Sequence, residues 1–204
     1  MQLESDPIVY IVDDDDGVRR TLGYLFETMG LETRGFASAR DFLREFSADR
    51  PGCVILDMIM DGMTGLALLK ELATLADTLP VIMITGHGDV SSAVAAMRHG
   101  AIDFIEKPYR NKVMIDSVRE AIAKSAQAHR LREKISREER ALSKLTPRER
   151  EVFDLVVQGQ TNKMIGQKLG ISPRTVEIHR GKVMQKTGAA SVAKLVRLDR
   201  GHTT

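Results

Sequence analysis

Short apolar runs alternate with stretches of helical spacing along the first half of this chain. The runs at 8–12, 31–36, 53–56, 81–85 and 102–105 predict strands. Between them, residues 18–29 place Val18, Leu22, Leu25, Phe26 and Met29 on one helical face, and residues 66–75 and 90–99 read as further helices. Apolar strands separated by amphipathic helices belong in a parallel sheet covered on both faces, here a doubly wound, flavodoxin-like α/β module of about five strands. Ligands of such a sheet sit at the carboxyl ends of its strands.

From Tyr109 the pattern changes. No Gly or Pro interrupts residues 110–146, and Ile115, Val118, Ile122, Leu131, Ile135, Leu142 and Leu145 keep three- and four-residue spacings with one phase slip at 126–129. A long helix is predicted. It fits a linker that pairs with a second copy and equally a solvated, charged helix. Beyond it, Thr146-Pro147-Arg148-Glu149 has the makings of a capping box, with proline at the first helical position. Helices follow at 147–157, 162–169, 173–186 and 191–198, punctuated by Gln158-Gly159, Gly170 and Gly188. The expected division is an α/β domain at 1–124, a helical linker at 125–143 and a small all-α domain at 144–204.

Composition narrows the class. With 204 residues, 43% hydrophobic and 28% charged, the chain has enough apolar content for two packed domains. Cys53 is the only cysteine, so no internal disulfide forms, and neither an 18-residue apolar run nor a signal-peptide start is present. A cytoplasmic protein without a membrane partner is expected. The net charge of +2 conceals a split: residues 1–120 carry 12 Lys and Arg against 20 Asp and Glu, whereas 121–204 carry 18 against 8. The halves therefore suit different partners, the basic one nucleic acid.

Asp13 and Asp14 follow the first strand and Asp57 the third, so a parallel sheet brings three carboxylates to one edge. Like charges about 4 Å apart repel by about 4 kcal/mol at an effective dielectric of 20, which calls for a cation or a proton. Oxygen ligands and the lack of a Cys/His set favour Mg²⁺, or another hard divalent cation, over Zn²⁺. The expected ligands are Asp13 (directly or through water), Asp14, Asp57 and the backbone carbonyl of Ile59. Thr85, ahead of Gly86-His87-Gly88, offers a hydroxyl at the fourth strand end, and Lys107 offers an ammonium after the fifth. Such a set suits phosphoryl transfer, with Asp57 as the carboxylate nucleophile. Cys53 reads as a small buried apolar residue, His87 and His99 as loop and helix-end residues, and the methionines mainly as core filling.

The motifs Ile11-Val12-Asp13-Asp14-Asp15, Leu56-Asp57-Met58, Met63-Thr64-Gly65, Ile84-Thr85-Gly86-His87-Gly88-Asp89 and Asp103-Phe104-Ile105-Glu106-Lys107-Pro108 resemble, in order, the receiver motifs of two-component response regulators of the NarL/FixJ class. The resemblance implies that Asp57 takes a phosphoryl group from a sensor histidine kinase and that Thr85 and Phe104 shift when it does. One departure stands out: Met60-Asp61 replaces the usual Met-Pro, adding a carboxylate near the site.

Residues 161–186 carry a helix-turn-helix layout, with Ser172 as cap and Pro173 opening the second helix. Val176, His179, Val183 and Thr187 share one side of that helix, with Val176 and Val183 as packing residues. Arg174, Ile178, Gly181, Lys182 and Gln185 lie opposite, with Glu177 at the edge. In a major groove Ile178 suits thymine methyls, Gly181 permits close approach and Glu177 accepts from cytosine N4. Arg174, Arg180, Lys182, Lys186 and Lys163 reach phosphates, and Thr175 and His179 complete the candidate DNA-contacting set. Leu145-Thr146-Pro147-Arg148-Glu149, Asn162-Lys163-Met164-Ile165 and Ile171-Ser172-Pro173-Arg174-Thr175-Val176-Glu177-Ile178-His179-Arg180 resemble the LuxR-type effector domain. That family reads the major groove with its third helix and dimerises through its fourth. Gly166 stands where the family usually has alanine.

Together the two resemblances imply a transcription factor, rather an activator than a repressor, switched by phosphorylation of Asp57. They further imply a homodimer on phosphorylation, promoter DNA as ligand, contact with RNA polymerase, and no enzymatic activity beyond the chain's own aspartyl phosphorylation and dephosphorylation. An aspartyl-phosphate phosphatase and a phosphorylation-dependent adaptor binding protein or RNA are the competing readings. Sequence-selective duplex binding separates them from the first.

Overall fold

The computed structural model describes residues 6–76, 78–86 and 90–200, the last without its side chain; His87, Gly88 and Asp89 lie outside the described residues. The chain divides into two compact units between Arg130 and Leu131.

The first unit contains β1 (Ile8–Val12), α1 (Asp16–Glu27), β2 (Glu32–Phe36), α2 (Ala39–Glu45), β3 (Gly52–Asp57), α3 (Gly65–Leu75), β4 (Val81–Thr85), α4 (Val90–Arg98) and β5 (Asp103–Glu106). The helix α5 (Asn111–Ser143) begins in it. All strand pairings are parallel, in the order β2-β1-β3-β4-β5. Every residue of β1, β3 and β4 is buried, because helices cover both faces. Ile8, Tyr10 and Val12 face one core with Phe42, Leu56, Leu68 and Met83, while Val9 and Ile11 face the other with Leu22, Phe26, Ile55 and Met114. Twelve residues make a marginal helix in water, so α1 holds through Leu22 and Phe26, whose full burial contributes about 3–6 kcal/mol together.

Two local features extend beyond the hydrophobic pattern. The first helix starts at Asp16 instead of Val18, because the Asp15 side chain accepts from the amides of Gly17 and Val18. The short helix α2 is absent from the periodicity reading; Ser38 caps it by accepting from Asp41 N, and Phe42 anchors it in the core. The helix α5 runs unbroken through the phase slip at 126–129. Among the methionines, Met60, Met83 and Met114 are buried as expected, but Met97 and Met164 stand on outward helix faces, about half exposed. Cys53 is fully buried, and burial pushes its thiol up to about 12, which leaves it inert.

The second unit packs α6 (Pro147–Val157), α7 (Asn162–Leu169), α8 (Pro173–Thr187) and α9 (Val192–Arg200) with the end of α5. Leu142, Val152, Phe153, Ile165, Val176, Val183, Leu195 and Leu198 form its core. The capping box at Thr146 is complete: its side chain accepts from Glu149 N, and Glu149 accepts from Thr146 N at 2.8 Å. Gly170 ends α7 at φ 66°, which lets the chain turn at once to the Ser172 cap of α8. Gly166 sits where a Cβ would lie 2.7 Å from the Ile171 carbonyl, so the turn packs more closely on α7 than alanine permits.

Candidate functional site

Strand register builds the first site. Val12 pairs with Leu56, so the next residues, Asp13 and Asp57, leave the sheet side by side. Asp57 in turn pairs with Ile84, which puts Thr85 one step further on, and Thr85 pairs with Glu106, which delivers Lys107. Strand order reverses at β1 and β3, the position where doubly wound sheets open a crevice.

Asp13, Asp57 and Thr85 are buried, while Asp14 is exposed at the rim. One carboxylate oxygen from each of Asp13, Asp14 and Asp57 lies within 4.8 Å of the others. Lys107 Nζ donates to Asp13 Oδ2 at 2.7 Å and to Asp57 Oδ1 at 3.2 Å. Three carboxylates against one ammonium leave a negative excess with oxygen donors only, a donor set that fits a hard divalent cation. Burial moves the Asp57 carboxyl above its ordinary range; Lys107 opposes the shift and Asp13 adds to it. Burial alone would lower Lys107, but its bond to Asp13 and the neighbouring charges outweigh that and raise it.

Two supports of this site have no stated role in the sequence reading, although Gly65 stands in its Met63-Thr64-Gly65 motif. Arg19 donates to the carbonyls of Asp13 at 2.6 Å and Asp14 at 2.9 Å, fastening the acidic loop from the first turn of α1. Gly65 opens α3 directly over β3, and a Cβ there would lie 2.0 Å from the Asp57 carbonyl oxygen. Arg19 makes backbone contacts, which no side-chain pattern announces. Gly65 carries a weak signal, since glycine at the first position of a helix with a Thr64 cap is otherwise unfavourable. Ile59 is exposed beside the cluster, Asp61 is exposed, and Phe104 is half-buried against the core that contains Met83.

The second site is the outer face of α8. Val176, Val183 and Thr187 turn inward. Arg174, Glu177, Ile178, Gly181, Lys182 and Gln185 are all exposed, Ile178 by 55%, and a Cβ at Gly181 would meet open space. Lys163 is exposed on α7. Three of the remaining candidates are tied within the domain. Arg180 donates to Asn162 Oδ1 at 2.7 Å, Lys186 to Glu149 Oε2 at 2.6 Å, and Thr175 bonds the Ser172 hydroxyl. His179 is half-buried, with its Nδ1 buried and unpaired among the described residues.

Comparison with known proteins assigns a family to each half of the chain. Residues 9–119 match the response regulator receiver domain, and residues 143–198 match the luxR family of bacterial regulatory proteins. The transcriptional regulatory protein FixJ of Azorhizobium caulinodans is 44% identical over 195 residues, covering 96% of this chain and 92% of its own. The C4-dicarboxylate transport transcriptional regulatory protein DctR of Rhodobacter capsulatus is 43% identical over 194 residues, covering 93% and 98%. The solved structure of the response regulator StyR superimposes with a TM-score of 0.90 at 37% identity, covering 97% of this chain and all of that one. The chain belongs to the NarL/FixJ class of response regulators, transcriptional regulators that join a phosphorylation-controlled receiver to a LuxR-type DNA-binding domain.

Proposed function

We propose that Asp57 is the phosphoryl acceptor of this regulator, that a sensor histidine kinase is the donor, and that phosphorylation drives a homodimer whose α8 helices read promoter DNA. The observation that carries the reading is the convergence of Asp13, Asp14, Asp57 and Lys107 at one strand edge. In the transfer, an Asp57 carboxylate oxygen forms the new O–P bond while the N–P bond of the kinase phosphohistidine breaks and its electron pair returns to the ring nitrogen.

Asp14, Asp57, the Ile59 carbonyl and Asp13, directly or through water, would hold Mg²⁺ or another divalent cation, which would neutralise charge on the phosphoryl oxygens. Lys107 pairs with one phosphoryl oxygen and the Thr85 hydroxyl donates to another, drawing Thr85 inward and repacking Phe104. Moving a population from 1:99 to 99:1 takes about 5.5 kcal/mol of differential interaction, a scale that charge pairing at a buried site reaches.

At the DNA, Ile178, Gly181, Glu177 and Gln185 face bases, and Arg174, Lys182 and Lys163 face phosphates. Thr175, Arg180 and Lys186, bonded to Ser172, Asn162 and Glu149, hold the helix in place behind that face, and half-buried His179 lies beside them. The chain acts in the cytoplasm as an activator, in contact with RNA polymerase, and divides into receiver 1–124, linker 125–143 and DNA-binding domain 144–204.

The test is phosphodonor labelling with Mg²⁺, followed by duplex binding. Wild-type protein takes up label and binds promoter fragments more tightly afterwards, whereas Asp57→Asn does neither. Label uptake by Asp57→Asn sinks the acceptor assignment, and steady phosphate release without duplex binding favours a phosphatase.

A further inference from the structure

Two large apolar side chains on α5 face solvent one turn apart: Leu131 is 58% exposed and Ile135 is 38% exposed. Their spacing continues through Glu138 to Leu142, which is buried in the core of the second unit. The four positions repeat at intervals of four, three and four residues, the seam of a two-stranded coiled coil. The stripe is therefore apolar at three of four positions, with its upstream half uncovered.

The charges beside the seam indicate what covers it. Lys134 immediately precedes Ile135, and Glu139 immediately follows Glu138. In a parallel pair of helices these flanking positions, five residues apart, face each other across the interface. Lys134 of each copy then meets Glu139 of the other, giving two opposite-charge contacts by symmetry. An antiparallel pair instead sets like flanking positions against each other, and loses that match.

Glu138 adds the complementary element. It is half-buried, with its carboxylate 4.0 Å from Lys134 of its own helix. In the parallel pair it occupies a seam position, where it meets its counterpart at short range and repels it. We propose that Leu131 and Ile135 form a short parallel contact with a second copy of this chain, and that Glu138 keeps the contact too weak to form unless the receivers are already joined. The inference rests on the phosphorylation-driven homodimer and names the surface that extends it. Joining the receivers raises the local concentration of one linker around the other to the millimolar range, where a weak two-turn contact closes.

Sedimentation of the full chain, with and without a phosphodonor and Mg²⁺, tests this. Glu138→Leu is expected to dimerise without phosphodonor at least about tenfold more tightly than wild type, because it removes the repulsion and completes the seam. Leu131→Glu combined with Ile135→Glu is expected to weaken the phosphodonor-driven dimer about tenfold or more. Lys134→Glu should weaken it and the exchanged pair Lys134→Glu with Glu139→Lys should restore it. Ile135→Cys should crosslink to its own copy under oxidation, since the native Cys53 is buried and does not compete.

If Glu138→Leu stays monomeric and the glutamate pair leaves the dimer unchanged, the linker contact is overturned. A glutamate pair that leaves the mass unchanged but lowers the melting temperature also overturns it, because the apolar face is then covered by its own chain. If wild-type protein does not dimerise with phosphodonor, the homodimer reading fails by itself, and Glu138→Leu still decides whether the linkers can pair.

Discussion

Lys186 Nζ donates to Glu149 Oε2 at 2.6 Å, joining the last turn of the exposed helix α8 to the capping box of α6. Glu149 thereby serves two ends at once, accepting from Thr146 N and from Lys186. The helix that presents Ile178 and Lys182 is held at its far end by an ion pair whose carboxylate is buried and whose ammonium is partly exposed.

This pair makes the second unit acid-sensitive. The Lys186 bond, then the Thr146 amide, hold the Glu149 carboxyl at about 2, against an ordinary 4.5. A depressed carboxyl means the unfolded chain binds the proton first, so the contribution to stability is complete above about pH 4.5 and is lost as pH falls toward 2. Amide protection in α6 and α8, relative to the unfolded-chain exchange rate at each pH, should therefore fall between pH 4.5 and 2 in wild type. In Glu149→Gln it should already be low at neutral pH and fall little further on acidification. Parallel pH profiles for the two proteins would refute the role.

At the first site, Gly65→Ala should disable the acceptor without touching a reacting group. The new methyl would meet the Asp57 carbonyl at 2.0 Å, and backbone cannot swing aside, so α3 or the end of β3 must move. Overpacking of this kind costs about 1–3 kcal/mol of stability. Phosphodonor labelling should fall toward the Asp57→Asn level, with the protein still folded by circular dichroism. Labelling at the wild-type rate would mean that the strand end tolerates the shift.

Arg19→Ala should loosen the acidic loop. Its guanidinium bonds the carbonyls of Asp13 and Asp14 and the Asp16 carboxylate, so removal frees the segment that aims two of the three carboxylates. Losing the equivalent of one charge-assisted hydrogen bond corresponds to about tenfold weaker cation binding. Calorimetric titration with Mg²⁺ measures it directly, and unchanged affinity would assign Arg19 to loop stability alone.

The acidic cluster was legible because strand ends are marked twice, by an apolar run and by the charge that stops it. Ile8–Val12, stopped by Asp13, reads directly from that pattern, and Asp57 is evident because it ends a run buried on both faces. Interactions spanning many residues left no such trace. Lys186 looks like a phosphate contact on a basic helix, and only the fold brings Glu149, 37 positions away, to its ammonium. The short helix α2 escaped because seven residues give too few turns for periodicity, although Ser38 and Asp41 stand at cap spacing.

Lys182 and Lys186, four residues apart on α8, should behave differently on DNA. Lys182 is exposed, so Lys182→Ala removes one phosphate contact and weakens binding similarly on all duplexes, with the salt slope reduced by about one. Lys186 is bonded to Glu149, so Lys186→Ala leaves a shielded carboxylate without its partner and shifts the seat of the helix; binding then weakens with the salt slope kept. Ile178→Ala supplies the third pattern. An exposed apolar side chain has nothing to offer phosphate, and so its loss should change the preference among sites while leaving affinity for unrelated duplex unchanged. Binding curves for the three variants on specific and unrelated duplexes, at two salt concentrations, separate these outcomes. A reduced salt slope in Lys186→Ala, or an equal loss on both duplexes in Ile178→Ala, would mean that a different face of α8 meets the groove.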